Sequence, residues 1–143
     1  MSADLYGADI KALARAAHGA GTLAAPDALV RLDNAYCGDR IDLALTLNGA
    51  GIVALAHQTR GCLLCQAAAS MIGLRAPGAT LGQIDRAISA LEAMLAGANA
   101  APDSWDELRF FAAVRDYPAR FGCVSLPVQA LRQAVQMALE GTR

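Results

Sequence analysis

At 143 residues the chain can bury about two thirds of its unfolded surface in one core, so residues 1–143 are expected to form a single domain without a linker. Its 12 basic and 13 acidic side chains leave a net charge of −1, which supplies neither a cationic footprint for nucleic-acid phosphates nor a polybasic membrane patch. No apolar run reaches the roughly 18 residues of a membrane span, and residues 1–5 lack the features of a signal peptide, so a cytoplasmic protein is expected.

In chain order, residues 3–18 place apolar side chains at Ile10, Leu13, Ala14 and Ala17, the spacing of an amphipathic helix that Gly19 and Gly21 end. Residues 28–32 form a short apolar run and residues 41–47 alternate with a period of two, which predicts two strands. Asn48-Gly49-Ala50-Gly51 is turn chemistry, because Asn-Gly accepts positive φ, and residues 52–58 resume the strand pattern to close an antiparallel hairpin. Residues 62–72 are good helix formers stopped by Gly73, Pro77 and Gly78, and their composition predicts a buried helix. Thr80 is positioned to cap a helix whose apolar face is Leu81, Ile84, Ile88, Leu91, Met94 and Leu95, closing at Gly97. Residues 98–103 read as a loop, and Ser104 is the expected cap of a short helix to Val114. Pro118 breaks that helix and places Cys123 in a turn; Pro127 then opens a last helix carrying Leu131, Val135 and Leu139.

Four cysteines in a chain expected to be cytoplasmic point to metal ligands or reactive thiols, since that compartment keeps thiols reduced. In Cys37-Gly38-Asp39, Gly38 permits a tight bend that aims a thiolate and a carboxylate at one point. Cys62 lies at a strand-to-helix junction, where unpaired amides and the helix dipole favour thiolate over thiol. Cys123 sits outside any periodic face, on a segment of the kind that carries function. Three thiolates and a carboxylate can complete a four-coordinate shell for zinc, or hold a small iron–sulfur cluster with the harder carboxylate as its most exchangeable ligand. Spacing leaves both open, beside the plainer alternatives that a cysteine packs as a small apolar residue and that Asp39 caps its own turn.

The residues then carry a resemblance. Asn34-Ala35-Tyr36-Cys37-Gly38-Asp39, Arg60-Gly61-Cys62 with Ala67-Ala68-Ala69-Ser70-Met71, and Arg120-Phe121-Gly122-Cys123-Val124-Ser125-Leu126-Pro127 resemble the three cysteine blocks of the IscU/SufU/NifU N-terminal scaffold family. The likeness covers nearly the whole chain, and the long helical stretch from Thr80 to Val114 with Pro118-Ala119-Arg120 is similar to the SufU branch. It implies an α+β fold, a small antiparallel sheet of about three strands packed against several α-helices. It implies iron–sulfur cluster assembly, with sulfur received from the persulfide of a pyridoxal-phosphate cysteine desulfurase and apo iron–sulfur proteins as recipients. Cys37, Asp39, Cys62 and Cys123 match the residues that hold zinc or a [2Fe-2S] cluster, and Cys62 and Cys123 the persulfide acceptors. A zinc-dependent sulfurtransferase of the SufU type and a degenerate structural zinc domain share the same four ligands. The chain departs from the family at Ala35, usually proline, at Gly122, usually lysine or histidine, and at Cys65, usually serine.

Other residues receive plainer readings. Cys65 falls on the same side of the predicted helix as Cys62, but its apolar neighbours favour a buried packing role over a second sulfur acceptor. Cys62-Leu63-Leu64-Cys65 after a strand also has the form of a thioredoxin motif, yet the strand belongs to a hairpin rather than a βαβ unit, and that reading leaves Cys37 and Cys123 unused. His57, in a strand, reads as a surface or hydrogen-bonded residue, not a ligand, and His18 is the only other imidazole. Arg60 and Arg120 flank the cysteines, where a guanidinium can offset thiolate charge. Trp105, Phe110 and Phe111 are spaced as core residues.

Overall fold

Three consecutive segments with alternating apolar side chains form a meander in the computed structural model of the chain, which describes residues 5–99 and 104–141. Strand β1 (Ala28–Asn34) pairs antiparallel with β2 (Asp39–Asn48), and β2 with β3 (Gly51–Arg60). Each strand runs past its apolar stretch, because polar residues beyond it keep the ladder: Arg31 faces Asp42, and Asp33 faces Arg40. The inner face buries Val30, Ile41, Leu43, Leu45 and Leu55. Each such side chain contributes about 1.5–3 kcal/mol when taken out of water.

Helices close over that face. Helix α4 (Phe121–Gly141) packs on β1 and β2, while α2 (Leu63–Arg75) packs on β3 and between α4 and α1 (Ala8–Ala16). Helix α2 is apolar nearly all round, with Leu64, Ala67, Ala68, Ala69 and Ile72 fully buried, as a helix enclosed on several sides requires. Helix α3 (Leu81–Leu95) opens with the expected cap: Gln83 N donates to Thr80 Oγ1 at 3.1 Å while Thr80 N donates to Gln83 Oε1 at 2.9 Å. It packs against a 3₁₀ segment (Asp106–Asp116) that buries Phe111 and Val114, with Trp105 and Phe110 against the edge of the core. The architecture is α+β, a three-stranded antiparallel sheet against several helices, as the resemblance implies. No helix among the described residues is long and apolar enough to cross a membrane.

Four local expectations are corrected. Helix α1 ends at Ala16 rather than His18, because Ala17 turns left-handed (φ 46°) and terminates it; residues 1–4 lie outside the described residues. Ser104 does not cap: Trp105 holds the N-cap position without a side-chain bond, and the buried Ser104 Oγ has no hydrogen-bond partner among the described residues. The segment that follows is 3₁₀ instead of α, and residues 100–103 of the expected loop lie outside the described residues. Finally, Cys123 is not in a turn, because α4 begins at Phe121 and Pro127 lies inside it. Proline fixes a helical φ but donates no N–H, so the Cys123 carbonyl four residues earlier loses its usual partner. Burial of Cys123, Val124 and Leu126 outweighs that loss.

A polar joint fastens α1 to the rest. Past Ala17 the chain runs beside β3, with Gly21 N donating to His57 O and His57 N to Gly19 O, both at 2.9 Å. The His57 ring, 4 % exposed, stands 2.8 Å from both the His18 carbonyl and Thr59 Oγ1. A carbonyl can only accept, so Nε2 carries the proton and Nδ1 accepts from the Thr59 hydroxyl. His18 N donates to Ser70 Oγ at 3.0 Å, and Gly73 of α2 admits the His18 carbonyl where a methyl group would collide with it.

Two outcomes are expected. Gly73→Ala should lower stability by about 1–3 kcal/mol, the usual cost of overpacking, read from the urea midpoint. Burial holds His57 below its ordinary value of 6.5, against a smaller opposing effect of the His18 carbonyl. The unfolded chain therefore binds a proton that the folded ring resists, so stability should be level above about pH 6.5 and fall as pH drops below it, more steeply in the wild type than in His57→Gln. Equal slopes in denaturant titrations of the two proteins would remove His57 from that dependence.

Candidate metal centre

The β1–β2 turn is organised by Asn34. Its side-chain oxygen accepts from Tyr36 N at 3.1 Å, and its carbonyl accepts from Cys37 N at 3.2 Å and Gly38 N at 2.9 Å. Asparagine turns the chain in this way through a local side-chain bond. Gly38 takes φ +70°, a region open to glycine, and the chain re-enters the sheet with Asp39 on the same inner face as Ile41 and Leu43.

Asp39 is 1 % exposed. Its Oδ1 accepts from the Cys62 backbone amide at 3.0 Å, and its Oδ2 stands 3.9 Å from Cys62 Sγ. Gly61 makes room for the carboxylate, since a β-carbon there would come within 2.6 Å of Asp39 Oδ1. Cys62 is the N-cap residue of α2, as its predicted junction position requires, and is half-buried. Cys123, on the first turn of α4, is fully buried, with its Sγ 3.4 Å from that of the half-buried Cys37. One donor atom each from Cys37, Asp39 and Cys123 lie within 4.8 Å of one another, and Cys62 adjoins them through Asp39. Four residues picked out in three separate stretches of sequence thus meet at the hairpin end of the sheet.

The electrostatics explain what the arrangement lacks by itself. Burial foremost, then hydrogen bonding of the protonated thiol to Cys37 and Cys62, push Cys123 well above its ordinary value. Cys65, one turn into α2 and fully buried, is pushed up to about 12, again by burial foremost and then by Asp39, Cys62 and Cys37. It lies behind the cluster as a packed apolar side chain. Several acidic groups crowded away from water are poor anions until a cation joins them, and soft thiolates with one carboxylate suit zinc or iron. The donor set therefore fits a metal. Arg120 also reaches the site; its charged form is favoured first by Tyr6 and then by a hydrogen bond to Cys123. Arg60 is exposed, on the outer face of the sheet. Both ring nitrogens of His57 are engaged elsewhere, so it does not ligate. Asn34 and Gly61 stand in the sequence only as members of the cysteine blocks; the turn that Asn34 shapes and the room that Gly61 leaves for Asp39 come from the structure, although an asparagine ahead of a turn is a visible signal.

Comparison with known proteins identifies the family and the fold. The family model for the NifU-like N terminal domain matches residues 10–136. The iron–sulfur cluster assembly scaffold protein IscU of Thermotoga maritima is 28 % identical over 103 residues, 72 % of each chain. The crystal structure of a nitrogen-fixing NifU-like protein (N-terminal) from Brucella abortus superposes with a TM-score of 0.91 at 27 % identity, covering 95 % of both chains. A candidate iron–sulfur cluster assembly scaffold of the SUF system from Fervidobacterium islandicum shares the fold, with a TM-score of 0.86 at 23 % identity over 92 % of this chain and 96 % of that one. With the family model spanning all three cysteine blocks, the chain belongs to the NifU-like N-terminal domain family.

Proposed function

We propose that this chain is an iron–sulfur cluster assembly scaffold in which Cys37, Asp39, Cys62 and Cys123 hold the metal and receive the sulfur. The observation that carries the reading is the meeting of thiols from a hairpin turn, a helix cap and a helix first turn around one buried carboxylate. The Thermotoga maritima relative, named as such a scaffold, supports it. The cargo is a small cluster of the [2Fe-2S] size; bound zinc would supply the positive charge that keeps the thiols deprotonated.

Sulfur arrives as the persulfide of a pyridoxal-phosphate cysteine desulfurase. A scaffold thiolate attacks the outer sulfur, a new S–S bond forms on the scaffold, the donor's S–S bond breaks, and the donor thiolate leaves; no outside oxidant or reductant is needed. Half-buried Cys62 is open to that attack, whereas Cys123 is fully buried. Finished clusters pass to apo iron–sulfur proteins. Anaerobic incubation with ferrous iron, cysteine, a desulfurase and a dithiol reductant that takes the persulfide sulfur to sulfide tests the reading: the visible absorption of a cluster should grow on the chain and fail to grow on Cys62→Ser. A second reading, zinc-dependent sulfur transfer of the SufU type, is favoured by how closely the donors surround a single point. It predicts that the zinc-loaded chain accelerates desulfurase turnover without ever accumulating a cluster.

Protein never exposed to chelator should carry about one metal ion per chain by elemental analysis, as a thiolate-rich site does. Cys37→Ser, Cys62→Ser and Cys123→Ser should each lower retention severalfold, with Cys65→Ser unchanged; equal loss from Cys65→Ser would make it a ligand. Asp39→Ala should speed release of the ion to a chelator, and Asp39→Cys should slow both release and sulfur uptake, because thiolate binds more firmly than carboxylate. Gly61→Ala should mimic Asp39→Ala by displacing the carboxylate. Identical release rates in all of these would take Asp39 out of the coordination sphere.

A further inference from the structure

The outer face of the sheet carries three rows of side chains fixed by the strand register. The row at the metal end is Asp33, Arg40, Arg60; the next is Arg31, Asp42, Gln58; the third is Leu29, Ala44, Ala56. In the first two rows the ion pairs run between β1 and β2: Arg40 Nε to Asp33 Oδ1 at 2.7 Å, and Arg31 to both oxygens of Asp42 at 2.6 and 3.2 Å. Both carboxylates are thereby used, and Arg60 is left directly opposite Arg40 with no ion-pair partner among the described residues. Like charges placed opposite each other across a ladder are unfavourable to the fold itself.

That unfavourable pair stands at the rim of the metal centre. Arg40 adjoins Asp39, and Arg60 precedes Cys62 by two residues. Tyr36, fully exposed, caps the same rim beside Cys37. Away from the rim the charges give way to an apolar groove of about 620 Å³, floored by Ala44 and Ala56 and flanked by Leu29, which is 62 % exposed. It shares Arg31, Asp42 and Gln58 with a smaller hollow of about 310 Å³ that reaches Arg40 and Arg60, so the two form one continuous surface. Arginine beside an apolar patch, as Arg31 stands beside this one, is a residue type that anchors protein partners.

We propose that this face is the docking surface of the protein that donates sulfur, with carboxylates of the donor opposite Arg40 and Arg60 and an apolar side chain of the donor on Leu29, Ala44 and Ala56. The inference rests on the scaffold reading above. A donor seated there lies across the hairpin end of the sheet, where Cys37 and Cys62 are the half-buried thiols. Its carboxylates relieve the Arg40–Arg60 repulsion, so the free protein is slightly less stable than its sequence would permit, and the complex recovers the difference.

The test uses the metal-loaded chain and the cysteine desulfurase of the same organism, with association followed at low and high salt. Arg60→Glu and Arg40→Glu should each weaken association about tenfold at low salt and flatten its salt dependence, as loss of a steering charge does. Metal content should be unchanged, and the melting temperature of Arg60→Glu should be unchanged or raised, which a merely structural arginine would not give. Leu29→Ser should weaken association severalfold without altering the salt dependence. Arg86→Glu, an exposed arginine on α3 outside this face, should bind as wild type. Wild-type affinity in both Arg40→Glu and Arg60→Glu, with sulfur uptake intact, would overturn the docking surface and leave the scaffold reading standing. A metal-loaded wild type that neither binds the desulfurase nor accepts its sulfur would overturn both.

Discussion

The carboxylate of Asp39 and the backbone amide of Cys62 join the start of β2 to the start of α2, and the rest of the centre is arranged around that bond. An amide at a helix N-terminus has no partner within its own helix, so a carboxylate there satisfies an orphan donor and meets the positive end of the dipole. The two oxygens of Asp39 then divide the work. Oδ1 is committed to the fold, while Oδ2 faces the thiol of Cys62 and is open to an ion. A carboxylate held in this way would release an ion without leaving its place, because the bond that positions it is not the one that would be exchanged. Asp39 therefore does not cap its own turn; that task falls to Asn34.

Much of this was legible in the sequence because local chemistry and tertiary packing agree. The Asn-Gly turn, the alternation of residues 41–47 and the Thr80 capping box each state a local preference that the packed structure keeps. The four candidate residues were picked out for another reason: Cys37, Asp39 and Cys62 stand at junctions between elements, whereas Cys123, expected in a turn, lies instead, buried, on the first turn of α4. Where the reading went wrong, tertiary burial overrode a local signal. Pro127 favours a first turn, and the burial of Cys123 and Val124 decides for the longer helix in spite of the hydrogen bond that proline removes inside it. Ser104 has the right side chain for a cap, but the 3₁₀ winding after it offers no amide at the right distance.

The two faces of one small sheet serve opposite ends. The inner face is largely apolar, and the two buried polar residues on it are held by hydrogen bonds, His57 through both ring nitrogens and Asp39 through Oδ1, which lowers the cost of burying them. The outer face tolerates an unfavourable contact between cations at the end nearest the thiols. Sheets of three strands are marginal on their own, so α2 and α4 supply the stability that lets the outer face diverge from what folding alone would select.

Gly122 shows how tightly the first and third cysteine blocks are bound together. A β-carbon at that position would come within 2.6 Å of Asn34 Nδ2, and Asn34 is the residue that shapes the Cys37 turn. A lysine or histidine at this place would have to turn the Asn34 amide aside, and the oxygen of that amide is what accepts from Tyr36 N in the Cys37 turn. A side chain at position 122 and the Asn34 amide that accepts from Tyr36 N thus compete for one place beside the site, so the first and third cysteine blocks share a single steric allowance.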